Sequence, residues 1–312
     1  MAKKSVAEII TERIIERLEA GEIPWRKPWN TPQCKYISET VEIDPGSVAW
    51  SRATGHAYSL LNQFLLGKPG EYLTFKQVSD EGGKVRKGEK PGIVCFYTNH
   101  ERTRENEDGS TETTNFPVLR YYSVFHIDQC EGLEPKRRPV EVLRRPIYDS
   151  IDAPAWDPCE EAEYLLMDYL EREHISLIAD QISDRAFYSP TYDRIVLPMK
   201  EQFRDRAEYY STYAHEAGHS TGHAKRLDRF SHGISHNFGS EEYSKEELVA
   251  EIVSASLCNL LGIETASSFQ NSAAYIQSWV KALKDDSKMI VSAAAKAEKA
   301  VKLILGPRAV EA

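Results

Sequence analysis

The 312-residue chain reads as an α+β protein in two parts. An N-terminal half mixes amphipathic helices with an antiparallel sheet, and a C-terminal half has a few strands followed by helices. Three observations carry this. Apolar residues recur at helical spacing in some segments and alternate in others. Charge is split unevenly: residues 1–145 hold 22 Lys+Arg against 21 Asp+Glu, net +1, whereas 146–312 hold 17 against 27, net −10. Between them, residues 131–156 are rich in Pro, Arg and Glu, as in Pro135-Lys136-Arg137-Arg138-Pro139, and read as an interdomain linker. The expected units are therefore 1–130 and 157–312, joined by 131–156.

Taken in order, a first helix is expected over Val6 to Leu18, with Val6, Ile9, Ile10, Ile14 and Leu18 as its apolar stripe and Gly21 as its stop. A turn-rich segment, Ile23 to Trp29, carries two tryptophans and two cations. A second helix is expected over His56 to Leu66 and a short strand at Tyr72 to Thr74. The glycine-bounded loop 82–92 leads into a strand, Ile93 to Thr98, and the polar tract Glu101 to Thr114 reads as a hairpin tip or disordered loop. The alternating run Leu119 to Ile127 reads as an interior strand. In the C-terminal half, a helix over Cys159 to Glu173 precedes strands near 176–179, 185–188 and 194–197. Helices then run from Asp205, over Glu246 to Leu261, and around 273–283 and 286–305.

A hydrophobic content of 41% and a charged content of 28% are those of a soluble globular protein. No apolar run approaches membrane-spanning length, and the first residues lack the apolar core of a secretory signal. Five scattered cysteines, an odd number, argue for reduced thiols in the cytoplasm and against a cysteine metal knuckle.

The most specific chemistry lies in His215-Glu216-Ala217-Gly218-His219. Two histidines four apart on a helix project about 5–6 Å from each other on one face, so both can reach one tetrahedral zinc ion. Glu216 then stands beside the open coordination position, placed to take a proton from the attacking water and pass it to a leaving amine. A third ligand is required. His223 is a candidate, but Gly222 is a helix-end signal that would swing it out of line. Lys225 stands where a longer three-histidine pattern needs its last histidine. Downstream, Ser244 and Glu247 have the spacing of a capping box, which gives Glu247 a structural task. Glu251 has none: it sits among Val249, Ala250, Ile252 and Val253, where an unpaired carboxylate is costly. Glu251 is therefore the expected third ligand, as in the gluzincin arrangement of thermolysin. Glu247, His223 and Tyr243 are expected as supporting groups or alternative ligands, Tyr243 or His223 serving to stabilise an oxyanion.

In the N-terminal half, Trp25, Trp29, Tyr58 and other aromatics lie among Arg26, Arg52, Lys76, Lys84, Arg86, Lys87 and Lys90. Stacking faces interleaved with cations are how sequence-tolerant single-strand binders work. Buried aromatics beside solvated lysines would give the same composition.

Several segments resemble antirestriction proteins of the ArdC type. They are Gly21-Glu22-Ile23-Pro24-Trp25-Arg26-Lys27-Pro28-Trp29, Thr54-Gly55-His56-Ala57-Tyr58 with Asn62, Leu73-Thr74-Phe75-Lys76-Gln77, Gly83 to Lys90 and Tyr122 to Gln129, followed by His215 to His223 with Arg226-Leu227, Tyr243 with Glu246 to Glu251, and Tyr275 to Trp279. The resemblance implies a single-stranded-DNA-binding domain joined to a zincin-like metallopeptidase domain, carried by conjugative elements and phages to protect incoming DNA. The expected partners are single-stranded DNA and an unknown peptide or protein substrate. The rival reading is a single-strand-coating accessory of replication or transfer whose zinc site is structural or inactive. Glu216 speaks against that rival, because a structural zinc site needs no general base beside it.

Overall fold

Ser5 and Glu8 start the first helix, α1 (Val6–Glu19), each side chain bonding the other's backbone N–H. Its stripe of Ile10, Ile14 and Leu18 is fully buried. The computed structural model of the chain describes residues 4–25, 34–37, 40–43, 48–105, 111–136, 141–144, 158–230, 241–263 and 272–307. Strands β1 (Cys34–Ile37), β2 (Thr40–Ile43) and β3 (Ala49–Ser51) precede α2 (Leu60–Leu66), β4 (Gly70–Leu73), α3 (Phe75–Asp80) and β5 (Lys84–Val85). A long hairpin follows, β6 (Gly92–Glu105) and β7 (Thr111–His126), and then β8 (Cys130–Glu131) and β9 (Glu141–Arg144).

The principal sheet has the order β3-β4-β7-β6, antiparallel apart from β3 with β4. From Leu119 to His126 the expected strand falls within β7, which lies between β4 and β6, although residues up to Val124 pair with β6, only Phe125 and His126 pair with β4, and residues 120–123 are exposed. Three expectations change. Most of the polar tract 101–114 is strand, its partners running from Glu101↔Asn115 to Glu105↔Thr111. Its threonines suit a pleated ladder, and only 106–110 lie outside the described residues. The second helix begins at Leu60 rather than His56, because Trp50 bridges Ala57 and the Tyr58 N–H donates to the Ala49 carbonyl. Part of the expected linker is β9, which pairs with β2 in the N-terminal half, Val41 opposite Leu143.

The C-terminal half begins with α4 (Glu160–Arg172), then β10 (Ser176–Ile178), β11 (Phe187–Ser189) and β12 (Arg194–Val196). β12 is central, with β10 parallel and β11 antiparallel to it. Helices α5 (Arg206–Ser220), α6 (Glu241–Leu260), α7 (Ser272–Asp285) and α8 (Met289–Leu305) complete the fold. One hydrophobic cluster runs from Ile10, Ile14 and Leu18 through Trp25 and Phe64 to Tyr169, Ala214, Ile252 and Ala297, joining residues of both halves. Among the described residues, no helix is long and apolar enough to cross a membrane.

Candidate metal centre

Asp205 caps α5 by accepting the Glu208 N–H, and the helix turns a buried face of Tyr209, Tyr210, Tyr213, Ala214 and Ala217 to the core. Tyr210 donates to Glu163 and Ser220 bonds Tyr169, which ties α5 to α4. Gly218 lies against α6: a Cβ built there would stand 3.2 Å from both Ala250 Cα and Val253 Cβ. The glycine lets the two helices approach closely, and Ser254 on α6 donates to the Ser211 carbonyl on α5 at 2.7 Å.

That packing brings three donors together. His215 Nε2 and His219 Nε2 are 3.1 Å apart. The Glu247 carboxylate places one oxygen 3.5 Å from the first and the other 3.3 Å from the second. Ligands held at about 2.0–2.1 Å by a tetrahedral ion lie roughly 3.3–3.4 Å from one another, so this triangle fits one divalent cation. Among the described residues it is the only group of three such donors.

The third-ligand expectation is therefore corrected from Glu251 to Glu247. The capping-box reading fails because α6 begins at Glu241, which puts Ser244 and Glu247 inside the helix. Glu251 is half-buried one turn further on, acts on His215 only as a neighbouring charge, and does not join the donor group. His223 also stands apart: its Nδ1 lies 3.9 Å from Asp193, in a network where Arg226 and Tyr188 both bond the Asp193 carboxylate. Tyr243 lies on α6, and its side chain is outside the described residues.

Two groups that the sequence did not single out hold His219. Glu246 places an oxygen 3.5 Å from His219 Nδ1. Arg229 grips the same carboxylate through Nε and Nη2 at 2.9 and 2.6 Å, and also bonds the Gly218 carbonyl and the Thr221 hydroxyl. A carboxylate on the far nitrogen fixes the tautomer and aim of a ligating histidine. The only signal in the sequence was Glu246 beside Glu247; nothing marked Arg229.

Burial disfavours a charged imidazole, but the facing carboxylates outweigh it. Glu247 raises His215, and Glu246 with Glu247 raises His219 to about 10. The same pairing holds the half-buried Glu247 carboxyl well below the usual carboxylate range. The centre is thus built to hold positive charge. Glu216 is buried and lines a cavity of about 300 Å³ with His215, His219 and Glu247, its outer wall formed by Phe187, Tyr188 and Phe230.

The residues expected at a nucleic-acid surface separate. Trp25 is a core residue, edge-on to Trp279 at 5.2 Å and to Phe64 at 6.1 Å. Arg52 is buried against Glu71 and Glu81. Tyr58 is half-buried and edge-on to Tyr72. Trp25 and Arg52 are corrected from stacking and phosphate-gripping roles to packing roles, because their partners bury them. Lys76, Lys84, Arg86, Lys87 and Lys90 are exposed, Arg86 pairing with Glu89 at 3.0 Å. Arg26 and Trp29 lie outside the described residues. Among the described residues of the N-terminal half, the exposed aromatics sit instead on the hairpin and α3: Phe75, Phe96, Tyr97, Phe116, Tyr121 and Tyr122.

Residues 4–125 match the N-terminal domain of the anti-restriction factor ArdC, and residues 167–296 match the zincin-like metallopeptidases. Two DNA primases TraC of Escherichia coli are 34% and 35% identical over 95% and 97% of this chain. The chain spans only 20% and 27% of their lengths. The uncharacterized protein y4eC of Sinorhizobium fredii is 29% identical over 94% of this chain and 89% of its own. Crystal structures of the antirestriction ArdC protein from plasmid R388, metal-free and Mn(II)-bound, align with TM-scores of 0.67 and 0.66 at 34% and 33% identity. Each alignment covers 96% of this chain and 97% of the other. With that agreement over nearly the full length of both chains, and with both halves matched separately, this protein belongs to the ArdC family.

Proposed function

We propose that the chain is an antirestriction protein of a mobile element that binds single-stranded DNA and hydrolyses peptide bonds at a zinc centre. The observation that carries the hydrolytic reading is the donor triangle of His215, His219 and Glu247 with Glu216 buried beside it in the same cavity. These three residues would hold the zinc, which when bound supplies Lewis-acid polarisation of the scissile carbonyl and of the attacking water.

The remaining steps belong to the chain's own groups. The Glu216 carboxylate accepts the proton of the attacking water and delivers it to the departing amide nitrogen. Glu246, gripped by Arg229, keeps His219 aimed. Phe187 and Phe230 give the cavity apolar walls. The Mn(II)-bound structure of the relative supports a bound divalent cation, and the all-protein His-His-Glu donor set favours zinc. The matched ArdC N-terminal domain and the exposed Lys76, Lys84, Lys87 and Lys90 support DNA binding.

The test is metal analysis of the purified protein with cleavage of a peptide library, with and without single-stranded DNA. Glu216→Gln should keep the metal, lose cleavage and lose protection of DNA against restriction. A metal-loaded wild type that cleaves nothing would overturn the hydrolytic reading, and full protection by Glu216→Gln would leave the domain a structural one.

A further inference from the structure

A groove of about 790 Å³ separates the β6–β7 hairpin from α8. Tyr97 and Leu119 form its hairpin wall, and Lys296 and Lys299 of α8, with Lys288 at the helix N-cap, form the opposite wall. Lys296 and Lys299 lie three apart on one face of α8, and Lys288 stands at its N-cap, so the three span about 16 Å along the helix direction. Among the described residues they make no ion pair, whereas neighbouring Lys284 and Lys302 are matched by Glu19 and Glu298. Ser292 and Ala295 between them are small, which leaves the floor open.

The charge is local and against the trend of its surroundings. Residues 288–305 carry four lysines and one acid, within a half of net −10. Across the groove Tyr97 is 58% exposed, unusual for an aromatic without a partner to cover it. Tyr121, two residues beyond Leu119 and so on the same hairpin face, is also exposed. Unpaired cations facing exposed aromatic rings match a strand with phosphates on one edge and unpaired bases on the other.

We propose that this groove binds a segment of single-stranded nucleic acid, with Lys288, Lys296 and Lys299 on its phosphates and Tyr97 stacked on a base. The inference rests on the single-strand-binding reading above and extends it: the strand crosses from the N-terminal half onto α8. The groove also shares a wall with the metal cavity. Lys245 and Val249 of α6 face the strand, while Glu246 and Glu247 of the same helix face the metal.

The experiment measures anisotropy of a fluorescein-labelled dT oligonucleotide, titrated with full-length protein over a range of salt. Lys296→Glu/Lys299→Glu should weaken binding by about tenfold or more and reduce the log–log salt slope by about 1.4, two phosphates at roughly 0.7 each. Tyr97→Ala should weaken it about 5- to 150-fold and Tyr97→Phe should restore it, since stacking needs only the ring. Lys225→Glu/Lys281→Glu, on exposed positions elsewhere, matches the change in net charge. Groove variants that bind as well as this control, while wild type binds tightly, would overturn the groove and leave the N-terminal reading standing. A wild type with no affinity for the oligonucleotide would overturn both. A ribo-oligonucleotide arm distinguishes DNA from RNA, and tighter binding of duplex would also overturn the proposal, because paired bases cannot stack on Tyr97.

Discussion

Replacing Glu247 by Gln should strip the centre of its metal, and the size of the loss follows from the geometry. The carboxylate is 3.5 and 3.3 Å from the two imidazole nitrogens, so it closes the donor triangle rather than supporting it. Losing a group that only orients a ligand weakens metal binding about 10- to 100-fold. Losing a charged ligand should exceed that, by at least about 100-fold or roughly 2.7 kcal/mol. Glu251→Gln removes only a neighbouring charge and should stay within about tenfold of wild type. Competition titration of metal-free protein against a chromophoric chelator, with zinc and with manganese, measures both. If Glu251→Gln lost more than Glu247→Gln, or if Glu247→Gln held metal as tightly as wild type, the triangle would not be the ligand set.

Four further outcomes are expected. In the metal-free fold His219 stays protonated to about pH 10, so zinc binding at pH 7 should release protons, measurable by calorimetry in buffers of different ionisation enthalpy. The raised histidine contributes stability below its ordinary pKa of about 6.5 and loses it as pH rises towards about 10. The lowered Glu247 contributes above about pH 4.5 and loses its share as pH falls. The melting temperature of the metal-free protein should therefore decline from about pH 6.5 to 10, and a flat profile there would contradict the pairing. Gly218→Ala gains about 1 kcal/mol of helix propensity but presses a Cβ on the Ala250 backbone, so metal affinity should drop about tenfold with helicity intact. Unchanged affinity would show that the α5–α6 spacing does not set the site. Trp25→Ala should cost about 3–5 kcal/mol in stability, seen by denaturant titration, and leave DNA affinity unaltered below the transition.

Much of the centre was legible because it is local. His215, Glu216 and His219 share one helix, and an i, i+4 spacing needs no tertiary information to place two rings together. Glu247 and Glu251 are also four apart on one helix and share a face, so periodicity could not choose between them. Tertiary contact decides, through the turn of α6 that Gly218 holds against α5. The capping-box pattern misled because the helix starts three residues before Ser244. On the N-terminal side, strand alternation placed the interior strand correctly. Interleaved aromatics and cations, however, do not say which way each side chain points. Trp25 and Arg52 found partners distant in sequence, and the exposed rings proved to lie on a hairpin whose length depends on cross-strand pairing.

The path of α1 has a consequence for how the chain can be taken apart. This helix opens the N-terminal half yet buries Ile10, Ile14 and Leu18 in the same cluster as Ala297 and Leu283 near the other end. Cutting the chain between its two matched regions would bare that apolar face on one fragment and open a cavity in the other. Heating the intact protein should accordingly give one calorimetric transition with equal calorimetric and van't Hoff enthalpies. A shuffling event that moved only one region would inherit half a core. It is the undivided block that recurs, and in the TraC primases it is matched over 95% and 97% of its length as a small part of a much longer polypeptide.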